Sequence, residues 1–372
     1  MGMNLFRVSL IGTGGGYGES VVVQLGLNNW IVVDSCIDPV TKESLPLEYL
    51  KSLGVQIETD VKLIVCSHWH NDHILGIDKL LEECKSATFA FAVASDKNKF
   101  LEFIGLDSRN DKLLSHTSST DIMSKCLSIV NQRKIPVKTI LQDRVLYSRS
   151  DEGVDIRVTA LSPSDAVISD FGTEISELMR SYVPCSNRKI IVRSPNEKCV
   201  VLQVSVNEYT AILGGDLETS TDNKRGWLCI LDNCNCISKN KASLYKIPHH
   251  GSENAYEKRV WDEMFDHDLL VGQLSPFING KVCLPTKDML DIFIKNVNHL
   301  YITSFDILNK PKKRDNSLQK AIRAFNPTLK EIPFRKGIIE NYIDLDIEKC
   351  TWKTNLHGKA FEIDNEFISA MR

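Results

Sequence analysis

Residues 67–73 read SHWHNDH, and this segment places four side chains that can bind metal in one short stretch. His68 and His70 are two residues apart, so in an extended chain both imidazoles point the same way. Asp72 and His73 follow at the predicted start of a helix. Imidazole and carboxylate ligands suit zinc, manganese or iron. The segment therefore predicts a metal site, with a helix-capping Asp72 and exposed loop histidines as the alternative.

Two later segments carry further residues of the same types. Asp216 ends the apolar run YTAILGGD, and His249 and His250 end SLYKIPHH. Adjacent residues of a strand face opposite ways, so we expect one of these two histidines to bind metal. The other would contact substrate or donate a proton. For Asp216 the alternative is an ordinary turn aspartate.

The segments that must position these residues are mostly short apolar runs. LFRVSLI, SVVVQLG, NWIVVDS and VKLIVCS are rich in β-branched residues and indicate strands, and helical patterns become frequent further along the chain. This order predicts an α/β protein with sheet layers covered by helices. We expect one domain over residues 1–305 with a helical insertion at about 95–150. Residues 306–372 would be a C-terminal extension that packs on or completes the same domain.

Composition narrows the protein class. The chain has 372 residues and a formal net charge of −3, so no overall basic field indicates nucleic-acid or membrane binding. It contains neither a secretory signal pattern nor an apolar run of the roughly 20 residues that span a bilayer. Eleven cysteines, several inside strand-like runs, fit a reducing compartment. We therefore expect a cytoplasmic protein without a membrane partner.

The motifs together resemble the metallo-β-lactamase superfamily, whose pattern H-x-H-x-D-H matches SHWHNDH. Asp34 in WIVVDS matches the early, mainly structural aspartate of that family, and Asp216 matches its later metal-bridging aspartate. Within the superfamily, the segments GYGESVVVQL, YTAILGGDLE and LYKIPHHGSEN are most similar to the hydrolase domain of ComEC-type DNA-uptake proteins and their soluble relatives.

This resemblance implies an αββα sandwich with two mixed sheets covered by helices. It also implies two divalent metal ions, zinc or manganese, that share a hydroxide. One ion would be bound by His68, His70 and Asp216, and the other by Asp72, His73, Asp216 and His250.

The resemblance also suggests catalytic and substrate-binding roles. Asp72 would orient the nucleophile and His249 would act on the substrate as the second catalytic residue. The candidate substrate contacts are Lys246, Ser252, Glu19 and Ser20. The last two belong to the loop IGTGGGYGES, in which no register fits a dinucleotide-binding G-x-G-x-x-G motif. A structural turn is the alternative for that loop.

The sequence departs from the family in three ways, of which one is that NGKVCLPTKD lacks the histidine that often precedes proline in the relatives. The superfamily usually has another histidine before the late aspartate, and here only His116 lies in that interval. Cys199 stands where many relatives have serine.

These observations favour a dinuclear-metal phosphodiesterase or nuclease that acts on nucleic acid or a nucleotide. One alternative is an ester, lactone, thioester or amide hydrolase on the same scaffold. Another is a non-catalytic sensor or scaffold with a protein partner, for example in a defence system.

Overall fold

A computed structural model describes residues 3–14, 18–94, 99–106, 119–151, 153–181, 195–279, 282–305, 315–325 and 335–371. Within these ranges the chain forms two eight-stranded mixed sheets and one two-stranded hairpin. Helices cover the outer faces of both sheets, which confirms the predicted α/β sandwich.

The first sheet combines the N-terminal strands with two strands from the C-terminal segment. Its spatial order is β17-β16-β1-β2-β3-β4-β5-β6. In chain order the bounds are β1 Leu5–Gly12, β2 Glu19–Leu25, β3 Trp30–Val33, β4 Val61–Cys66, β5 Thr88–Ala92, β6 Val137–Ile140, β16 Gly337–Asp344 and β17 Lys353–Gly358. Strands β3 to β6 run parallel, and the other pairs are antiparallel.

The second sheet has the order β18-β15-β12-β11-β10-β9-β8-β7. Its bounds are β7 Val145–Asp151, β8 Val154–Ala160, β9 Leu202–Val206, β10 Tyr209–Leu213, β11 Leu244–Lys246, β12 Val271–Leu274, β15 His299–Ile302 and β18 Phe361–Glu362. Strands β10, β11, β12 and β15 are parallel. The hairpin pairs β13 Phe277–Asn279 with β14 Val282–Leu284.

The helices are short, and most follow a strand. Their bounds are α1 Leu45–Ser52, α2 Ile57–Asp60, α3 Asn71–Ile74, α4 Ile77–Glu83, α5 99–106, α6 Ser119–Arg133, α7 Asp165–Ser181, α8 Gly226–Asn233, α9 Lys258–Met264, α10 Lys287–Phe293, α11 Asn316–Phe325 and α12 Asn365–Ala370. In the described ranges, each helix is too short or too polar to cross a lipid bilayer.

The strand sequences explain why the sandwich has apolar layers on both faces of each sheet. In β2, Val21 and Val23 point into the core between the two sheets, while Val22 points to the core beneath the outer helices. A strand buried on both faces needs a continuous apolar run, which is what β2 and β4 show. The outer core of the second sheet packs under α8, α9, α10 and α12.

The segment predicted as a helical insertion is not helical throughout. It contains α6, but β6 pairs with β5, and β7 pairs with β8, so this segment also supplies an edge strand to each sheet. Sequence analysis missed β6 because four residues flanked by Pro136 and a turn carry too short a pattern. The C-terminal segment adds β16 and β17 to the first sheet and β18 to the second.

Candidate metal centre

The predicted metal ligands meet at one edge of the sandwich, where parallel strands of both sheets end. SHWHNDH follows β4, and Asp34 follows the neighbouring strand β3. From the second sheet, Asp216 follows β10 and His250 follows β11. Carboxyl ends of parallel strands are the usual place for functional loops in α/β sheets. The fold thus brings together residues that are far apart in sequence.

Asp216 lies at the centre of this cluster. Its Oδ2 atom is 3.2 Å from His73 Nε2, 3.8 Å from His68 Nε2 and 3.8 Å from His250 Nε2. Asp72 Oδ2 is 4.0 Å from His73 Nε2 and 3.7 Å from His250 Nε2. One potential ligand atom from each of Asp72, His73, Asp216 and His250 falls within 4.8 Å of the other three.

His68 and His70 lie beside these four groups. His68 is buried, and His70 is partly exposed at the rim of the site. The distance from His68 Nε2 to His70 Nδ1 is 3.1 Å, so two nitrogens face one small space. The structure therefore places all six predicted ligands in one continuous group. We keep their division between two metal ions as a proposal.

Hydrogen bonds behind the cluster orient two of its imidazoles. His73 Nδ1 lies 2.8 Å from Asp34 Oδ2, and His250 Nδ1 lies 2.9 Å from the carbonyl oxygen of Ser275. Both acceptors require a proton on Nδ1, so the Nε2 atom of each ring points into the cluster and can bind a metal ion once it is deprotonated. Such partners are typical of metal-binding histidines.

The inner atoms of the cluster fit a cation. His73 Nε2 and His250 Nε2 are buried and have no hydrogen-bond partner among the described residues. His73 Nε2 is close to Asp216 Oδ2 but not in hydrogen-bond geometry. Buried polar atoms normally have partners, and imidazole with carboxylate is a suitable donor set for zinc or manganese. The residues present therefore fit the metal that the motif predicts.

Asp34 and Ser67 support the cluster from below. Asp34 accepts hydrogen bonds from Ser67 N at 2.7 Å and from Ser67 Oγ at 2.6 Å. Ser67 Oγ is also 3.0 Å from His68 Nδ1, so one carboxylate organises both His68 and His73. Asp34 has a φ of 60°, in the left-handed region that Asp tolerates better than most residues.

The electrostatics of the cluster favour positive charge at its centre. Burial opposes protonation of His73, but Asp216, Asp72 and Asp34 raise the pKa of His73 well above its usual value. Burial also raises the pKa of the Asp216 carboxyl, but His73 and His250 outweigh it and hold that pKa well below its usual range. Burial lowers the pKa of His68 and His70, which keeps these two imidazoles neutral and able to donate a lone pair.

The two adjacent histidines diverge, as expected, but a turn separates them and not strand alternation. They lie in a 3₁₀ turn, His249–Gly251, with φ values of 47° for His249 and 54° for His250. Left-handed backbone at two successive non-glycine residues is strained and is found mainly at functional sites. His250 points into the cluster. His249 points to the rim, with Nδ1 3.1 Å from Asn254 Oδ1 and Nε2 3.2 Å from Asn196 Nδ2.

The glycine-rich loop lies against the candidate metal-binding cluster. A Cβ atom on Gly18, whose φ is +98°, would be 1.8 Å from the carbonyl oxygen of Asp72. Only glycine allows so close an approach with this backbone conformation. Residues 15–17 of the loop lie outside the described residues.

Three predicted substrate contacts are buried. The side chains of Glu19 and Lys246 form an ion pair beneath Asp216, and Ser20 Oγ donates to the carbonyl oxygen of Asp34 at 2.9 Å. Glu19, Ser20 and Lys246 are each no more than 2% exposed. This burial does not fit the sequence expectation that they touch substrate. They support the residues that face the cluster.

The remaining sequence-selected residues have different surroundings. Ser252 is partly exposed directly after the histidine turn. Cys199 is buried, accepts a hydrogen bond from Asp216 N at 3.0 Å and lies 3.6 Å from His68 Nδ1. Burial raises the pKa of its thiol to about 12, so it remains neutral. His116 lies outside the described residues.

Sequence reasoning did not identify several residues that position the site. Asn196 and Asn254 bracket His249, and Asn196 Nδ2 donates to Glu218 Oε1 at 2.8 Å. Ser275 contributes only a backbone carbonyl, which no motif can reveal. Glu218 stands two residues after Asp216, and that proximity was the only available signal for it.

Comparisons with known proteins agree with the motif. The model of the metallo-beta-lactamase superfamily matches residues 13–110. Curated protein sequences give no match.

Three solved structures illustrate the structural similarity. Metallo-beta-lactamase SMB-1 bound to 2-mercaptoethanesulfonate is 12% identical over 70% of this chain and 84% of its own, with a TM-score of 0.35. Zinc-bound PqqB from Methylobacterium extorquens is 10% identical over 64% and 71%, with a TM-score of 0.33. The metallo-beta-lactamase fold protein YhfI from Bacillus subtilis is 13% identical over 64% and 70%, with a TM-score of 0.30. Similarities this low carry no argument about ligand or activity.

The similarity to this superfamily therefore rests on the sequence and structure of the chain itself. It has two mixed sheets between helical layers, with His68, His70, Asp72 and His73 after β4 and Asp216 after β10, all at one edge. These features are those of the metallo-β-lactamase fold, and residues 13–110 match the model of the metallo-beta-lactamase superfamily, to which the chain is therefore similar.

Proposed function

We propose that the protein is a divalent-metal-dependent phosphodiesterase that acts on nucleic acid or on a nucleotide. The observation that carries the metal-dependent part is the convergence of buried Nε2 atoms on one carboxylate oxygen. His68, His73 and His250 all direct Nε2 to within 3.8 Å of Asp216 Oδ2. Two of these nitrogens have no partner among the described residues.

We assign the ligands to two metal ions, zinc or manganese. His68, His70 and Asp216 would hold one ion, and Asp72, His73, Asp216 and His250 the other. When bound, such ions lower the pKa of a coordinated water and neutralise charge on the attacked group.

The protein's own groups supply orientation and access. Asp34 fixes the Nδ1–H form of His73, and the Ser275 carbonyl does the same for His250. The side chain of Asp72 is 16% exposed, and that of His73 is fully buried. Asp72 and the partly exposed His70 are therefore the ligands that a substrate would meet first.

His249 is the proposed contact for a phosphoryl oxygen. Its side chain is 20% exposed, and its ring centre is 6.2 Å from that of His250. Because Nε2 faces Asn196 Nδ2, a substrate oxygen would have to displace this amide before His249 could donate a proton. Asn254 Oδ1 accepts from Nδ1 and holds the ring in place.

The substrate class rests on the sequence LYKIPHHGSEN, which resembles that of ComEC-type hydrolase domains. In the structure this segment forms β11 and the strained histidine turn beside the cluster. Phosphodiesters suit a site with two metal ions, since both the attacking and leaving oxygens carry negative charge during displacement.

The test compares three substrates with metal-loaded protein: bis-p-nitrophenyl phosphate, p-nitrophenyl acetate and a chromogenic β-lactam. We expect turnover of the phosphodiester that requires added zinc or manganese and is lost in Asp72→Asn and His250→Ala. His299→Ala is the matched control because His299 begins β15, at the opposite end of that strand from the site, and is exposed. Turnover of only the ester or the β-lactam would overturn the substrate assignment.

A further inference from the structure

A buried ion pair connects the two sheets directly behind the metal cluster. Glu19 is the first residue of β2 in the first sheet, and Lys246 is the last residue of β11 in the second. The Lys246 ammonium pairs with Glu19 Oε1, and both side chains are almost fully buried. Buried charges are costly to desolvate, so a pair in this place calls for a physical explanation.

The contacts of this ion pair lead to Asp216. Lys246 Nζ donates to the carbonyl oxygen of Gly215 at 2.9 Å and is 3.8 Å from Asp216 Oδ1. The other oxygen, Oδ2, is the one that faces His68, His73 and His250. The two oxygens of Asp216 therefore have different surroundings: Oδ1 faces an ammonium and Oδ2 faces the Nε2 atoms of three imidazoles.

The partner of the ion pair contacts the other ligand from the second sheet. Glu19 Oε2 is 3.6 Å from His250 Nδ1 and has no hydrogen-bond partner among the described residues. The pair therefore touches both Asp216 and His250, which are the two ligands that the second sheet supplies.

We propose that Glu19 and Lys246 act as a positioning pair that makes Asp216 present a single oxygen, Oδ2, to both metal ions. A carboxylate with two free oxygens can bind one cation through both of them. The ammonium beside Oδ1 repels a cation there, and its attraction for Oδ1 fixes the rotation of the carboxylate. Without it, Asp216 would be free to bind one ion with both oxygens and would lose its contact with the second.

The inference rests on the metal-binding part of the proposed function and is independent of the substrate. It predicts that Lys246 and Glu19 determine how many metal ions the protein holds. A purely structural ion pair between the sheets would change stability and leave metal content as it is.

The experiment measures the number of zinc ions bound per protein molecule and the affinity for each bound ion. The variants are Lys246→Met/Glu19→Gln, which removes both charges, and Lys246→Arg, which keeps the positive one. The matched control is Lys198→Met/Glu174→Gln, which removes a largely buried 2.9 Å ion pair between α7 and the 3₁₀ turn that precedes β9. Each protein is stripped, reloaded with zinc and titrated against a chromogenic chelator, and the unfolding midpoint of the metal-free form is recorded.

We expect two zinc equivalents for the wild type, for Lys246→Arg and for the control. In Lys246→Met/Glu19→Gln the second equivalent should weaken by at least about tenfold, in the range found for groups that orient metal ligands. If this variant does not fold, Lys246→Gln, which can still donate to the Gly215 carbonyl, gives the same measurement.

Unchanged affinity for both equivalents in the uncharged variants would overturn the inference. So would a wild type that holds fewer than two equivalents. A wild type that holds two equivalents and hydrolyses no phosphodiester would refute the proposed substrate but not the positioning pair.

Discussion

The two sheets contribute to the candidate metal-binding cluster in different ways. The first sheet supplies His68, His70, Asp72 and His73 from one seven-residue segment after β4. The second sheet supplies Asp216 and His250, which are 34 positions apart and meet because β10 and β11 are parallel neighbours. The ligands from the first sheet are therefore neighbours in sequence. Those from the second sheet are brought together by the order of its strands.

The two halves also differ in how they are held. Asp34, a side chain, orients His68 and His73, whereas a backbone carbonyl and the ion pair of Glu19 and Lys246 flank the ligands of the second sheet. Asp216 is the point of contact between the halves, because its Oδ2 atom faces imidazoles from both. The comparison predicts that a substitution at Asp216 weakens the binding of both metal ions. Substitution of another ligand should weaken the binding of only one.

The largest effect is expected from Asp216→Asn. The amide has the same shape but no negative charge, and it faces three imidazoles, so both metal equivalents should weaken by at least roughly 100-fold. His70→Ala is the variant for comparison. Because His70 lies at the rim, its loss should weaken the binding of only one metal equivalent. Chelator competition measures both. Equal losses of metal affinity in the two variants would contradict the proposed difference between Asp216 at the centre and His70 at the rim.

An intermediate effect is expected from Asp34→Asn. Loss of the charge weakens the support of His73 and Ser67, so metal affinity should fall by roughly 10–100-fold, the range for such partners. Asp38→Asn is the control, because Asp38 lies four residues later and accepts hydrogen bonds from the backbone N–H groups of Val40 and Thr41. An Asp34→Asn protein with wild-type affinity would show that the first sheet does not need this carboxylate.

Gly18→Ala is expected to have the smallest effect on metal affinity. Its effect on the stability of the fold should be clear. The new methyl group would overlap the carbonyl oxygen of Asp72, and the free energy of unfolding should fall by roughly 1–3 kcal/mol. Gly54→Ala separates this overlap from backbone strain, because Gly54 has a φ of +73° and, apart from its chain neighbours, no described residue within 4 Å of its Cβ position. Chemical denaturation of the two metal-free variants tests the difference. Equal losses of stability would mean that the contact with Asp72 is unimportant.

The sequence could indicate that the residues of the first sheet lie close together because they are contiguous. The spacing of SHWHNDH between an apolar strand and a helix indicated a metal site, and the structure places those side chains together. For the second half, the strand-end positions of Asp216 and His250 were visible, but their proximity depends on the pairing of β10 with β11.

Other features of the site could not be read from the pattern. Lys246 and Glu19 were predicted as substrate contacts, and their partnership could not be predicted because it joins positions 227 residues apart. The left-handed turn at His249 and His250 has no glycine to signal it before Gly251. The strand β6 was too short to be distinguished from the helical segment around it.

The central claim is that residues of both sheets form one metal centre around Asp216. The most direct test is a crystal structure of the zinc-loaded protein with an anomalous difference map at the zinc edge. The account predicts two peaks, both bonded to Asp216 Oδ2, with His73 Nε2 and His250 Nε2 on one of them and His68 Nε2 on the other. A single peak held only by the histidines of the first sheet, or no peak at this edge of the sandwich, would contradict it.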